Sequence, residues 1–169
     1  MSANLALTLP AGFSIVLIIW AALCGAEDVW RLRVSNVLTL GMLAFAIMFL
    51  LLTGHTLTGA SALQAALGLI VAMLLTLPGY ALGKLGAADA KMLMACGLAA
   101  GFADVLEIFV IASLLAAALM LLTRYLDRYP WFIRLTSSGP LFRLAPRAGK
   151  SFPFAACMAV GVLFSQCLR

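Results

Sequence analysis

The sequence predicts an all-α, polytopic integral membrane protein with about six transmembrane helices and both termini extracytoplasmic. Three observations carry this. Of 169 residues, 65% are hydrophobic and only 10% charged, with a mean hydropathy of +1.14. A soluble domain of this size has too little interior to hide that much apolar surface. The apolar residues fall in runs long enough for helices to cross roughly 30 Å of hydrocarbon, which takes about 20 residues. The basic residues gather in alternate connections between those runs.

The first run, Ala11–Ala26, has neither a basic segment before it nor a clear cleavage site, so it reads as a retained helix rather than a signal peptide. Val37–Thr53 follows and leads into a short Gly-rich loop, Gly54–Gly59. Ala60–Leu82 is the third run. The fourth, Met92–Ala100, is too short to span unless flanking residues join it. Gly101–Asp104 turns the chain into Val105–Thr123, and Phe152–Leu168 closes it. Leu, Ala and Gly dominate, and barrel-type alternation is missing, so helices rather than strands cross. No repeat and no separate soluble domain is evident. Residues 1–169 read as one transmembrane domain containing a basic cytoplasmic loop, 124–151. There Tyr125, Tyr129, Trp131 and Phe132 alternate with Arg124, Arg128 and Arg134, a pattern suited to lying along the headgroups.

Charge placement orients the chain. Arg31 and Arg33 separate the first two runs, and Lys84 and Lys91 separate the third and fourth. Arg124, Arg128, Arg134, Arg143, Arg147 and Lys150 separate the fifth and sixth. If every run crosses, all three groups share one face, which the positive-inside rule makes cytoplasmic. The net charge of +5 then serves topology and anionic membrane lipid. Nothing resembles a nucleic-acid platform, so no nucleic-acid partner is expected. Cys24, Cys96, Cys157 and Cys167 form no CxxC pair and read as small apolar filler. His55 is the sole histidine; neither a metal nor a cofactor is expected.

Carboxylates beside hydrocarbon are expensive, so an ionisable residue there is a functional candidate. Asp28 ends the first helix within Glu27-Asp28-Val29-Trp30-Arg31-Leu32-Arg33-Val34-Ser35-Asn36, where Asn36 is the expected cap of the second helix. The competing reading is an ordinary charged helix end. Glu27 is a rival acid, but it points roughly 100° away from Asp28 on a helix. Asp89 opens the fourth helix within Gly83-Lys84-Leu85-Gly86-Ala87-Ala88-Asp89-Ala90-Lys91. The small residues from Gly86 to Ala90 would let an extended peptide approach. Here the competing reading is an N-capping aspartate closing a Gly-rich loop. Together the two acids are more specific than either alone. Both fall at cytoplasmic helix ends, and two facing carboxylates cannot both ionise readily. One can activate water while the protonated partner polarises a peptide carbonyl. Serine-triad chemistry lacks its histidine, since His55 falls on the opposite face.

At these residues the chain resembles the aspartic prepilin peptidases, which cut leader peptides from type IV pilin precursors. The family's first Asp, basic residues and Ile-Pro-Asn-like triplet correspond to Asp28, Arg31, Arg33 and Val34-Ser35-Asn36. Its Gly-x-Gly-Asp-x-Lys motif corresponds to Gly86-Ala87-Ala88-Asp89-Ala90-Lys91, with Ala88 in place of the second glycine and Ser35 in place of the triplet's proline. A late proline-aromatic stretch matches Lys150-Ser151-Phe152-Pro153-Phe154. Longer members carry an N-terminal extension with two CxxC pairs and methyltransferase activity. This chain shows neither, so the resemblance implies the short, peptidase-only form of Flp/Tad pilus systems.

That resemblance implies Asp28 and Asp89 as the catalytic dyad, and substrate-side roles for Lys91, Gly86, Asn36 and Arg31. Lys91 has two readings, a substrate contact or a positive-inside residue. The resemblance also implies a bacterial inner-membrane enzyme whose active site faces the cytoplasm. Its substrate is then a prepilin or pseudopilin precursor, and its further partner the pilus-assembly machinery. Two alternatives compete. A small transporter would use membrane carboxylates, but it calls for midplane acids and inverted repeats that the sequence lacks. A scaffold subunit would make both aspartates incidental.

Overall fold

The computed structural model describes residues 3–83, 85–126, 128 and 153–167, with side chains in the first helix from Ser14 onward. Six helices lie among the described residues: α1 Ala3–Arg31, α2 Asn36–Thr53, α3 Ala62–Ala81, α4 Ala87–Ala100, α5 Phe102–Leu126 and α6 Phe154–Cys167. The expected interfacial segment, apart from Arg124–Leu126 and Arg128, lies outside the described residues, as do Lys84 and Lys150. No strand occurs among the described residues, only an isolated bridge between His55 and Ser61.

Helix α4 is the axis of the bundle. It is flanked by α2, α3, α5 and α6, and nine of its 14 residues are buried. The outward faces of α2, α3 and α5 carry the opposite character. Leu51 is 80% exposed, and Leu63, Leu74, Leu114 and Leu121 are similarly bare. A stripe of bare leucines is costly in water and costless in lipid. These three helices are each long and apolar enough to cross a membrane. At 14 residues each, α4 and α6 extend only about 21 Å.

Apolar side chains gain little by leaving lipid, so close backbone packing must hold such a bundle together. Glycines provide it at three crossings. A side chain at Gly68 would collide with Gly97 and Gly101, and one at Gly97 with Gly68, so α3 and α4 touch backbone to backbone. A Cβ at Gly161 would lie 2.8 Å from the Ile108 carbonyl oxygen, where α6 crosses α5. One at Gly25 would lie 2.9 Å from Ala159 Cβ, where α1 meets α6.

The loop between α2 and α3 turns inward. Thr56, Leu57 and Thr58 are buried; the Leu57 N–H donates to the Ala99 carbonyl (2.9 Å) and the Thr58 hydroxyl to the Ala100 carbonyl (2.8 Å). Those are the last carbonyls of α4, which its own helix cannot satisfy. Thr58 also donates to Asp104 (3.4 Å), and Ser165 donates to Glu107 (3.1 Å).

Gly97→Val is expected to separate α3 from α4 and to cost at least about 3 kcal/mol, read as a lower unfolding midpoint in detergent. Gly41→Ala, whose added Cβ meets nothing within 4 Å, is expected to leave that midpoint unchanged or higher.

Candidate active site

Asp28 lies in the last turn of α1 and is only 5% exposed. A carboxylate taken out of water needs donors. Its donors come from the start of α6, where the first backbone N–H groups lack partners in their own helix. The Ala156 N–H donates to Asp28 Oδ2 at 3.3 Å, and the Ala155 N–H donates to the same carboxylate. The close α1–α6 crossing at Gly25 brings these groups together. Pro153, buried ahead of α6, belongs to the proline-aromatic stretch singled out in the sequence.

Asp89 is the third residue of α4, with Gly86 at the N-cap. Its carboxylate reaches back to the Gly86 N–H, the acidic half of a capping box. This gives Gly86 its local reason. A Cβ there would stand 2.9 Å from Asp89 Oδ2. Gly86 and Ala87 are exposed, so the backbone ahead of Asp89 is open to approach.

The two aspartates, 61 positions apart in sequence (89 − 28), come within electrostatic reach of each other. The charge on Asp28 bears on Asp89, and both bear on Cys157 of α6. Cys24, one turn before Asp28, is coupled to Asp28 and Glu27, and Cys96 to Cys24. Two buried free thiols, Cys24 and Cys157, therefore lie near the aspartates, and a third, Cys96, lies behind Cys24. The sequence placed these cysteines in membrane segments without connecting them to the aspartates. Their spacing did carry a signal, since Cys24 and Asp28 stand at i,i+4.

Glu27 turns away, as its helical position requires. It accepts the Ser35 N–H (2.9 Å) and pairs with Arg31 at 3.5 Å. The Arg31 side chain is exposed, so that pair is screened by water and contributes little to stability. Lys91 reaches across from α4 to donate to Asn36 Oδ1 at 2.9 Å, joining the starts of α4 and α2. One expectation is corrected here. Ser35, not Asn36, caps α2; its hydroxyl accepts the Leu38 N–H at 3.4 Å, and Asn36 is the first helical residue. With Ser35 already extended and bonded, the Asn36 amide is left free to meet Lys91. Leu32, between Asp28 and this cap, adopts a left-handed φ of 52° while its N–H closes the end of α1 on the Asp28 carbonyl at 2.7 Å. Among the described residues, no group of three or more His, Cys, Asp or Glu is placed to hold a metal ion.

Among known families, the type IV leader peptidase family matches residues 15–121, a stretch that contains both aspartates and the Lys91–Asn36 pair. The chain belongs to that family. No curated protein and no solved structure matches it. Membership of this peptidase family and three span-capable helices describe a membrane peptidase.

Ser35→Ala is expected to cost about 1 kcal/mol of stability through loss of the α2 cap, measured by thermal unfolding in micelles. Asn36→Ala is expected to spare the cap and release Lys91. An equal or larger loss for Asn36→Ala than for Ser35→Ala would contradict this division.

Proposed function

We propose that the chain is an aspartic endopeptidase that removes the leader from Flp-type prepilins or pseudopilins, with Asp28 and Asp89 as its catalytic pair. The observation that carries this reading is the convergence of two acids, one from the end of α1 and one from the start of α4, on a site where the charge on Asp28 bears on Asp89. Such a pair shares a proton near neutral pH. The ionised member takes a proton from water, whose oxygen attacks the scissile carbonyl carbon. The protonated member gives its proton to the carbonyl oxygen. The tetrahedral diol then collapses, the C–N bond breaks, and the amine leaves with a proton returned through the pair.

Exposed Gly86 and Ala87 give an extended peptide room beside Asp89, and Lys91, Asn36 and Arg31 line the same end of the bundle. Lys91 and Asn36 already hold each other, which supports a shared role in positioning the substrate backbone. Arg31, Arg33, Arg124 and Arg128 are exposed at this end, in keeping with a cytoplasmic face and contact with anionic lipid. In the proposed topology all six segments cross the bacterial inner membrane, both termini are extracytoplasmic, residues 1–169 form one domain, and 124–151 lie on the cytoplasmic surface. The pilus-assembly machinery is then a partner that receives the cleaved product.

The transporter reading is less well supported. Of the remaining described acids, Glu27 is engaged by Ser35 and Arg31, and Asp104 and Glu107 by Thr58 and Ser165 at the far end of α4, rather than placed along a path.

Asp28→Asn and Asp89→Asn are each expected to lower prepilin cleavage by at least about 100-fold with membrane insertion intact. Glu27→Gln is expected to stay close to wild type. Cleavage retained in either Asn variant would remove that residue from the pair, and proton or cation flux through proteoliposomes would favour the transporter.

A further inference from the structure

Two acids in one site must differ in environment if they are to take different roles, and here they do. Asp89 is held by its own loop, through the N-cap N–H of the helix it belongs to. Asp28 is held by another helix altogether. The first-turn N–H groups of Ala155 and Ala156 converge on its carboxylate from α6. Backbone N–H groups at a helix start carry partial positive charge and prefer an anion. They cannot rotate away as a hydroxyl can, and they offer nothing to a second proton on the acid. The Gly25–Ala159 contact sets the α1–α6 spacing that delivers Asp28 to them.

We propose that the N-terminus of α6 divides the labour within the acid pair, holding Asp28 as the carboxylate that activates water and leaving Asp89 to carry the proton given to the scissile carbonyl. Ala155 and Ala156 act through their backbone N–H groups as positioning residues. The inference rests on the endopeptidase reading and adds to it an order to the two acids. The titratable groups near Asp28 are Asp89 from α4, Cys157 from α6 and Cys24 on α1 itself, while Glu27 on α1 turns away. Lys91 of α4 is engaged with Asn36 of α2. Glu27 is occupied by Ser35 and Arg31.

Proline lacks an N–H and is tolerated in the first turn of a helix. Ala156→Pro and Ala155→Pro each delete one donor to Asp28 and so raise its affinity for a proton. If Asp28 must be ionised, the acidic limb of the kcat/KM profile moves to higher pH, by about one unit for a lost bond to a charged group. If Asp28 instead carries the proton, the basic limb moves up and activity extends to higher pH. Ala156→Gly, which keeps the N–H, is expected to leave both limbs in place. An unmoved profile in folded proline variants, or movement of the basic limb, overturns the proposal.

A second measurement depends neither on folding of the proline variants nor on activity. In full-length protein carrying isotopically labelled aspartate, carboxyl resonances are assigned by their loss in Asp28→Asn and Asp89→Asn. Asp28 is expected to lose its proton at lower pH than Asp89, and the reverse order overturns the proposal. A wild-type protein that cleaves no prepilin would sink the peptidase reading while leaving this titration order to be decided on its own.

Discussion

A carboxylate can be kept out of water only where donors meet it, and at this site every donor to the acid pair identified above is a backbone N–H at the start of a helix. Asp89 uses the start of α4, and Asp28 uses the start of α6. These are the two 14-residue helices of the bundle. Both begin at the site. A helix that begins at the site places its unpaired N–H groups there, whereas one running past would present only bonded backbone. The long helices α2, α3 and α5 form the apolar wall, and α4 and α6 bring backbone charge to the two aspartates.

Close packing makes that delivery possible. With apolar side chains equally at home in lipid, helices are held together by contact and hydrogen bonding more than by burial. Gly68 against Gly97 seats α4 on α3, Gly161 seats α6 on α5, and Gly25 seats α6 on α1. Under the proposed function the last of these bears on activity, because Gly25 stands one turn from Asp28. A side chain there would force α1 off α6 and lengthen the bonds from Ala155 and Ala156. Packing and electrostatics at the site are thus one constraint.

Much of this was legible in the residues. Asp28 and Asp89 stood out because charge is rare in this chain, and the topology put them at one end. The orientation of Glu27 followed from helical geometry alone. What escaped had physical reasons. The donors from Ala155 and Ala156 are main-chain groups, and an alanine letter says nothing about where its N–H points. Ser35 and Asn36 are both good caps, so composition could not choose between them; the Glu27–Ser35 bond, which fixes the loop, decided it. Gly86 was read as room for a substrate backbone, whereas its immediate cause is the Asp89 carboxylate folded over it. The inward turn of Thr56–Thr58 was hidden because a short polar loop looks the same whether it faces solvent or caps α4.

The far end of α4 offers an internal comparison. Asp104 is also buried, and Glu107 stands three residues further along α5, so acidity and burial alone do not single out the Asp28–Asp89 site. The difference lies in the donors. Asp104 and Glu107 accept from the hydroxyls of Thr58 and Ser165, groups that can either donate or accept and so can serve a carboxyl in either protonation state. Asp28 and Asp89 accept from main-chain N–H groups that are fixed by their helices and can only donate. A fixed donor favours the charged state, and Asp28, with two such donors against one for Asp89, is the acid held charged before substrate arrives, which is the preorganisation that acid–base catalysis requires. On that criterion the hydroxyl-bonded acids are suited to locking helices together, and the amide-bonded pair to chemistry.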